Sequence, residues 1–303
     1  MKPQSVYQLS IVVVPESEDA VAELLATVFD RRGAAYVDLT KKLAIVSTYL
    51  EKSKKPTKKQ LTAVREGLAN IADCGLDIGS GEIHVKLLKG ADWMESWKKH
   101  FVPIDIGGRL FIKPGWEKRR AKKGQHEIIL DPGVSFGTGH HPTTLFCLKQ
   151  IVEQRIDGEK QSIIDIGCGS GILGIAAAKV GYTSIVGFDY NADSVRSARE
   201  NCALNKVAEQ VKPTRKDLTK LPVDTARKYD LVCANLIYDM LIAERERIAN
   251  RLKPDGLLVL AGILETQFAK VSKAFREIGF KLVDSEVGGE WKSGSFRRKN
   301  RVG

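Results

Sequence analysis

The sequence predicts an α/β protein in which a small α+β domain precedes a larger, doubly wound domain. Residues 1–88 have the hydrophobic periods of elements in the order β-α-β-β-α-β. From about residue 126, strand-like and helix-like segments alternate, which is typical of a mostly parallel sheet with helices on both faces. The chain of 303 residues has room for about two domains of ~100–200 residues each.

The first domain, residues 1–88, begins with a β-branched apolar run and then an amphipathic helix. Val21 starts a series of apolar residues at i, i+3, i+4 and i+7 that ends at Val28. Thr57 and Gln60 have the spacing of a capping box at the start of a second helix. The order of elements predicts a ferredoxin-like unit, a motif that hosts many functions and so names no chemistry.

Residues 89–125 have a different composition. They contain three of the four tryptophans and are rich in glycine and proline. We expect a linker helix over about 91–99, followed by an extended segment that leads into the second domain.

The second domain, residues 126–303, is predicted from short apolar runs that alternate with helical segments. The strands are SIIDIG, SIVGFD, YDLVCAN and LLVLAG, and a terminal pair of strands covers about 280–299. In such a Rossmann-like sheet, ligands bind outside the carboxyl ends of the strands. The residues that follow these strands are therefore the candidate site.

The stretch IIDIGCGSGILG predicts a strand, a tight loop and the start of a helix. Gly167, Gly169 and Gly171 allow the backbone to turn sharply and to approach a ligand closely, and the helix offers free N–H groups at its start. Asp189 follows the next strand, 22 residues after Gly167. There its carboxylate can accept hydrogen bonds from both hydroxyls of a ribose.

The same stretch contains G-x-G-x-x-G at Gly169, Gly171 and Gly174, which is the pattern of dinucleotide-binding loops. Here, however, Asp165 ends the strand and the glycines alternate directly after it. A carboxylate beside the loop suits a cationic group, such as the sulfonium or ammonium of S-adenosylmethionine, and would repel a pyrophosphate. We therefore expect S-adenosylmethionine rather than NAD. A plain tight turn would leave Asp165 and Asp189 together unexplained.

Two more polar residues follow predicted strands. Asp217 has two interpretations, a contact with the adenine amino group or the N-cap of a helix in LTKLP. Asn235 is the candidate catalytic residue, because its carbonyl can accept a hydrogen bond from a target nitrogen and orient the nitrogen lone pair. Amino-methylating enzymes often have N-P-P-Y here, but Leu236 and Ile237 replace the prolines, which disfavours a nucleobase or glutamine amide as acceptor.

Five strings in a fixed order resemble the PrmA family of methyltransferases. They are WMESWKKHFVPIDIGGRLFIKPGW, ILDPGVSFGTGHHPTT, IIDIGCGSGILGIAAAK, CANLIYDML and AGILETQ. The resemblance spans the chain and is densest over residues 92–267. It implies a ferredoxin-like substrate-recognition domain, a flexible linker and a seven-stranded methyltransferase domain that modifies protein eleven of the large ribosomal subunit.

The resemblance also implies that the loop in ILDPGVSFGTGHHPTT lies over the cofactor, so that two glycine-rich loops form two sides of one pocket. The residues that would contact the cofactor by this likeness are Phe136, Gly137, Thr138, Thr144, Gly167, Asp189 and Asn235. For Phe136, core packing is the alternative. His140, Ser135 and residues 236–238 depart from the family pattern, and these positions concern the substrate side more than the cofactor side. His140 and His141 can each take a proton, although histidines in such loops are more often structural.

The expected reaction needs alignment and a neutral amine. A lysine with a pKa near ~10.4 is almost wholly protonated at neutral pH, an α-amino group near ~7.7–8.0 less so, and desolvation would lower either pKa. The sequence thus predicts a protein N-methyltransferase acting on lysine side chains, an N-terminal amine, or both. The alternatives are a lysine methyltransferase for a different protein, an RNA methyltransferase, and a non-catalytic cofactor-binding module associated with RNA or the ribosome.

The net charge of +11 favours polyanionic partners. Basic clusters at 51–59, 113–123 and 295–301 predict a transient contact with ribosomal RNA, and solvated loops are the alternative for each cluster taken singly. No apolar run reaches the ~18 residues that a membrane helix needs. We expect a monomer that contacts no membrane.

The chain has five cysteines, an odd number, and none of them forms a C-x-x-C pair. This argues against a disulfide framework or a zinc site and predicts a reducing, cytoplasmic location without a bound metal. The residues after the first apolar run are acidic and include a proline, which is unlike a secretory signal.

Overall fold

The computed structural model describes residues 5–30, 34–38, 43–51, 54–88, 102–130 and 141–299. Internal contacts divide the chain into two units, Met1–Val102 and Pro103–Gly303. Each unit is described by itself.

In its described residues, the first unit is one antiparallel sheet with two helices. Its elements are β1 (Val6–Val13), α1 (Glu18–Phe29), β2 (Ala34–Asp38), β3 (Leu43–Glu51), α2 (Lys58–Asp73) and β4 (Glu82–Leu88). The strand order is β2-β3-β1-β4, and every neighbouring pair is antiparallel. Leu9, Ile11 and Leu25 are fully buried between the sheet and the helices, because alternate residues of a strand face one side of the sheet.

The capping box predicted at the start of α2 is present. Gln60 N donates to Thr57 Oγ1 at 3.2 Å, and Thr57 N donates to Gln60 Oε1 at 3.0 Å. The two bonds satisfy two backbone donors that the helix would otherwise leave free.

A small sheet at the start of the second unit changes the expected division of the chain. It contains β5 (Ile104–Ile106), β6 (Leu110–Lys113) and β7 (His126–Ile129) in the order β5-β6-β7. Ile106, Leu110 and Ile112 are buried in the core of the second unit. Residues 103–125, expected to be a segment leading into the second domain, therefore fold as part of it. The expected linker helix over 91–99 lies outside the described residues.

The rest of the second unit is a mixed sheet flanked by helices. Its strands are β8 (Ser162–Ile166), β9 (Ser184–Asp189), β10 (Thr214–Arg215), β11 (Tyr229–Asn235), β12 (Leu252–Ala261), β13 (Phe280–Gly288) and β14 (Trp291–Arg298). Its helices are α3 (Pro142–Glu153), α4 (Ile172–Val180), α5 (Ala192–Leu204), α6 (Tyr238–Ala243), α7 (Arg245–Ala249) and α8 (Glu265–Glu277).

The strand order is β10-β9-β8-β11-β12-β14-β13. Strands β8 to β12 run parallel, and β14 is antiparallel to both of its neighbours. Ile163 and Ile164 belong to separate core clusters on the two faces, which is why β8 has apolar residues at adjacent positions. The chain order of the strands reverses between β8 and β11, the kind of position where doubly wound sheets bind ligands.

No helix within the part of the chain that the structure describes is long and apolar enough to cross a membrane.

Candidate active site

The carboxyl ends of β8, β9 and β11 bring four of the predicted site residues to one edge of the sheet. Asp165 lies in β8 opposite Cys233 of β11, and Asp189 and Asn235 are the last residues of β9 and β11. Gly167 follows β8 directly. Because these three strands are neighbours and parallel, their carboxyl ends form one crevice.

The loop after β8 is fixed by backbone hydrogen bonds to β9. Gly167 N and Cys168 N both donate to Phe188 O, at 2.9 and 3.0 Å. Gly167, Gly169 and Gly171 all have positive φ, at 77°, 49° and 80°. A Cβ on Gly167 would also lie 2.5 Å from Leu236 Cδ2. Gly167 is therefore favoured by its conformation, and a side chain there would displace the end of the Leu236 side chain.

Asp189 joins the two loops that follow β8 and β9. Gly169 N donates to its Oδ2 and Asn191 N donates to its Oδ1, each at 2.9 Å. The carboxylate is buried. These bonds fix its plane and leave lone pairs on both oxygens, which is the requirement for accepting hydrogen bonds from two ribose hydroxyls.

Asp165 is buried beneath the loop, with 2% of its surface exposed. Burial, and then the negative charge of Asp189, raise the pKa of Asp165 to about 7. A cation placed in the crevice would relieve this penalty by favouring the ionised carboxylate. The arrangement suits a ligand with positive charge.

Two oxygen atoms in the crevice are buried without a hydrogen-bond partner, Thr144 Oγ1 and Asn235 Oδ1. Buried polar atoms are rarely left unpaired, so they indicate where a ligand donates. Together with the two carboxylates and the glycine loop, they fit S-adenosylmethionine. The ribose hydroxyls and the ammonium of this ligand need hydrogen-bond acceptors, and its ammonium and sulfonium are stabilised by nearby negative charge.

Asp217 follows β10 at the same edge of the sheet. Its Oδ1 accepts from Thr219 N at 3.0 Å and from Thr219 Oγ1 at 2.7 Å, and it caps a short 3-10 helix, Leu218–Lys220. These bonds to Thr219 lower the pKa of Asp217. Of the two interpretations of Asp217, the structure contains the N-cap, and a contact with adenine stays a prediction.

Phe136, Gly137 and Thr138 belong to residues 131–140, which lie outside the described residues. Of the loop predicted to cover the cofactor, the structure describes only the end, from His141 into α3. Thr143 and Thr144 are buried in the first turn of this helix.

Several residues that shape the crevice are not among those predicted from the sequence alone. Gly262 follows β12 with φ of 80°, and a Cβ there would lie 2.6 Å from Leu236 O and 2.9 Å from Asn235 Oδ1. A glycine directly after a predicted strand was an available signal for it. Trp291 packs edge-on against the His141 ring, with centroids 5.0 Å apart. Nothing in the sequence relates these two rings, because they are 150 residues apart.

Comparison with known proteins agrees with this geometry. A family model described as ribosomal protein L11 methyltransferase (PrmA) matches residues 5–299. A protein of that name from Alkaliphilus metalliredigens is 33% identical over 281 residues, which cover 93% of this chain and 87% of the relative. Another of that name, from Trichlorobacter lovleyi, is 40% identical over 218 residues, covering 71% of this chain and 70% of the relative.

A solved structure gives the same relationship. The ribosomal protein L11 methylase from Lactobacillus delbrueckii subsp. bulgaricus matches with a TM-score of 0.58 and 32% identity, covering 65% of this chain and 99% of that chain.

The fold and the crevice at the ends of β8, β9 and β11 define an S-adenosylmethionine-dependent methyltransferase. The predicted choice of cofactor is thereby confirmed. Since the family model spans nearly all of the sequence and relatives above 30% identity cover most of it, the chain belongs to the ribosomal protein L11 methyltransferase (PrmA) family. The resemblance found in the sequence is confirmed.

Proposed function

We propose that this protein transfers methyl groups from S-adenosylmethionine to amino groups of protein L11 of the large ribosomal subunit. The observation that carries the proposal is the family match over residues 5–299, together with relatives whose printed names state this activity. The acceptors are lysine side chains, the N-terminal amine, or both.

The site residues have separate tasks in this proposal. Asp189 holds the ribose, Asp165 balances the positive charge of the cofactor, and Gly167, Gly169 and Gly171 let the backbone approach it. Thr144 Oγ1 meets a polar group of the cofactor, and by family likeness Phe136, Gly137 and Thr138 also contact the cofactor. The cofactor, when bound, supplies a methyl group on a sulfonium that is already a leaving group.

Asn235 orients the acceptor. Its Oδ1 is a buried acceptor without a partner, so it can take a hydrogen bond from the incoming amine and direct the nitrogen lone pair toward the methyl carbon. Holding a nucleophile in line can supply about 7–11 kcal/mol of the barrier. An amide cannot take up a proton, so the amine must arrive neutral, and desolvation in the crevice favours that form.

The first unit is the substrate-recognition part of the proposal. Its sheet order, β2-β3-β1-β4, with α1 and α2 as the crossing helices, supports a ferredoxin-like assignment. We propose residues 1–88 as this domain, 89–102 as the linker region, and 103–303 as the methyltransferase domain, because β5 and β6 belong to the second unit.

The net charge of +11 supports a transient contact with ribosomal RNA. Within the cluster at 113–123, Lys113 is buried and pairs with Glu127 at 2.9 Å, so it contributes nothing to the surface. Lys118, Arg120 and Lys122 are exposed in the loop between β6 and β7. All five cysteines are free thiols, which supports a reducing, cytoplasmic location. We also propose that the protein is a monomer.

The test is methyl transfer from isotope-labelled S-adenosylmethionine to purified L11, with modified residues located by mass spectrometry. The proposal predicts labelled lysines or a labelled N-terminus, loss of labelling with Asn235→Ala, and no loss with Asn250→Ala, an asparagine directly after α7. Label in a different ribosomal protein or in RNA, with L11 unlabelled, would contradict it.

A further inference from the structure

A chain of hydrogen bonds leads away from Asn235 into the protein. Asn235 Nδ2 donates to Thr143 Oγ1 at 3.3 Å, and Thr143 Oγ1 lies 2.7 Å from His141 Nδ1. Thr143 is completely buried, and the His141 ring packs edge-on against Trp291. The three side chains come from the start of α3 and from the end of β11, so they tie two separate elements together at the crevice.

The hydrogen bonds between Asn235, Thr143 and His141 can run in either of two directions. If His141 Nδ1 is an acceptor, Thr143 donates its single hydroxyl proton to it, and Thr143 Oγ1 accepts from the Asn235 amide nitrogen. If Nδ1 carries a proton, the hydrogen bonds run the other way. His141 then donates to Thr143 Oγ1, and the Thr143 hydroxyl donates to the amide oxygen of Asn235. Burial lowers the pKa of His141 to about 4, so the imidazole is neutral at pH 7 and one of its two nitrogens is an acceptor.

The two directions present opposite ends of the Asn235 amide to the crevice. The structure has Nδ2 on Thr143 and leaves Oδ1 without a partner. A free oxygen accepts from an amine and leaves the nitrogen lone pair available. A free NH₂ group would instead donate to that lone pair and block the attack.

We propose that Thr143 and His141 are positioning residues that hold the Asn235 amide with its oxygen toward the acceptor amine. This inference rests on the proposed function, since it needs an amine as the acceptor. The two residues touch neither the methyl group nor the amine.

Thr143 and Thr144 are adjacent, and both are buried, yet their hydroxyls differ. Thr143 Oγ1 is engaged with Asn235 and His141, whereas Thr144 Oγ1 has no partner. The pair therefore gives matched variants of the same size. Thr143→Val should affect the transfer step, and Thr144→Val should affect affinity for the cofactor.

The experiment measures kcat with L11 as acceptor and the Kd of S-adenosylmethionine by calorimetry for both variants. We expect Thr143→Val to lower kcat by about 10- to 100-fold, the range typical of lost orienting partners, while the cofactor Kd stays within error. Thr143→Ser retains the hydroxyl and should recover most of the rate. Thr144→Val should weaken cofactor binding. Equal kcat for wild type and Thr143→Val would overturn the proposal.

Two further measurements separate orientation from packing. In the Asn235→Ala background, the small residual rate, measured by single-turnover transfer at high enzyme concentration, should not fall further with Thr143→Val or His141→Phe, because there is no amide left to orient. A full additional loss would contradict the proposal. The ¹⁵N chemical shifts of His141 in the protein without cofactor should show that Nδ1 is unprotonated. The His141→Phe variant assigns the signal, because it lacks the imidazole. A protonated Nδ1 would overturn the proposal.

The outcomes also distinguish this inference from the proposed function. If wild-type protein methylates nothing in L11, the proposed function fails, whatever the ¹⁵N shifts show. If wild type is active and Asn235→Ala is not, but Thr143→Val matches wild type, the proposed function stands and only the orienting role fails.

Discussion

At the scale of single residues, two buried titratable groups respond to pH in opposite directions. Burial lowers the pKa of His141 to about 4, and burial with the charge of Asp189 raises the pKa of Asp165 to about 7. Each shift means that folding disfavours the charged form of that group. Their effects on the free energy of unfolding partly cancel, so single variants are needed to see either one.

For His141, protonation at low pH destabilises the fold. The unfolded chain takes up a proton below pH 6.5 and the folded chain only below about 4, so stability falls as pH decreases through this window, by up to about 3 kcal/mol. His141→Phe retains the packing on Trp291 and removes the titration. Urea unfolding of both proteins across the window checks this, and parallel curves would contradict it.

For Asp165, the prediction concerns the cofactor. A cationic ligand beside this group favours the ionised carboxylate, so binding should release a proton, and affinity should fall by up to about tenfold per pH unit below the pKa. Calorimetry in buffers of different ionisation enthalpy measures both effects. Asp165→Asn should bind more weakly at neutral pH and lose this dependence. If cofactor affinity changed equally with pH in the two proteins, the ionisation of Asp165 would not be linked to cofactor binding.

Gly167 and Gly158 form a matched pair for the glycine loop. Both have positive φ, 77° and 86°, but a Cβ on Gly158 meets nothing within 4 Å, whereas one on Gly167 meets Leu236 at 2.5 Å. Gly158→Ala should cost only the left-handed strain, about 1–2 kcal/mol. Gly167→Ala should cost more and should also weaken cofactor binding. Thermal unfolding with and without S-adenosylmethionine tests this. Similar losses of stability and of stabilisation by the cofactor in both variants would show that the contact with Leu236 has no effect.

At the scale of elements, long buried strands were predictable and short ones were not. Strands β8, β9 and β11 are five to seven residues long and each contains apolar residues at adjacent positions, which is a clear sign of a strand buried on both faces. Strands β5, β6 and β7 have only three or four residues each, too few for a period to show. For this reason the sequence placed residues 103–125 outside the domain to which they belong.

The site residues also divide into those that the sequence could reveal and those that it could not. Asp165, Asp189 and Asn235 could be found because each lies at or near the end of a recognisable strand. The contacts of Thr143 with Asn235 and of His141 with Trp291 join residues 92 and 150 positions apart, and only tertiary packing brings them together. Asp217 was ambiguous in the sequence because a short acidic side chain suits an N-cap as well as a ligand.

The small sheet β5–β7 leads to a prediction about fragments. A fragment of residues 103–303 retains Ile106, Leu110 and Ile112, each at most 2% exposed, and should fold and bind S-adenosylmethionine. A fragment of 126–303 lacks them and should lose roughly 5–9 kcal/mol of buried apolar contact. Denaturant unfolding and calorimetry compare the two fragments. Equal stability would mean that the small sheet is not part of the second unit's core.

At the scale of the whole molecule, the proposed function depends on where the cofactor binds. We propose that the cofactor binds at the carboxyl ends of β8, β9 and β11 and that the acceptor amine reaches it past Asn235. The family match identifies the class of reaction, and the buried carboxylates with the unpaired oxygens of Thr144 and Asn235 support this proposed place.

The most direct test is a crystal structure of this protein with S-adenosylmethionine bound. The account predicts the ribose hydroxyls on Asp189, the amino-acid end on the side of Asp165 and Thr144, and the methyl carbon facing the crevice next to Asn235 Oδ1. A cofactor found at another edge of the sheet, or one whose methyl group points away from Asn235, would contradict it.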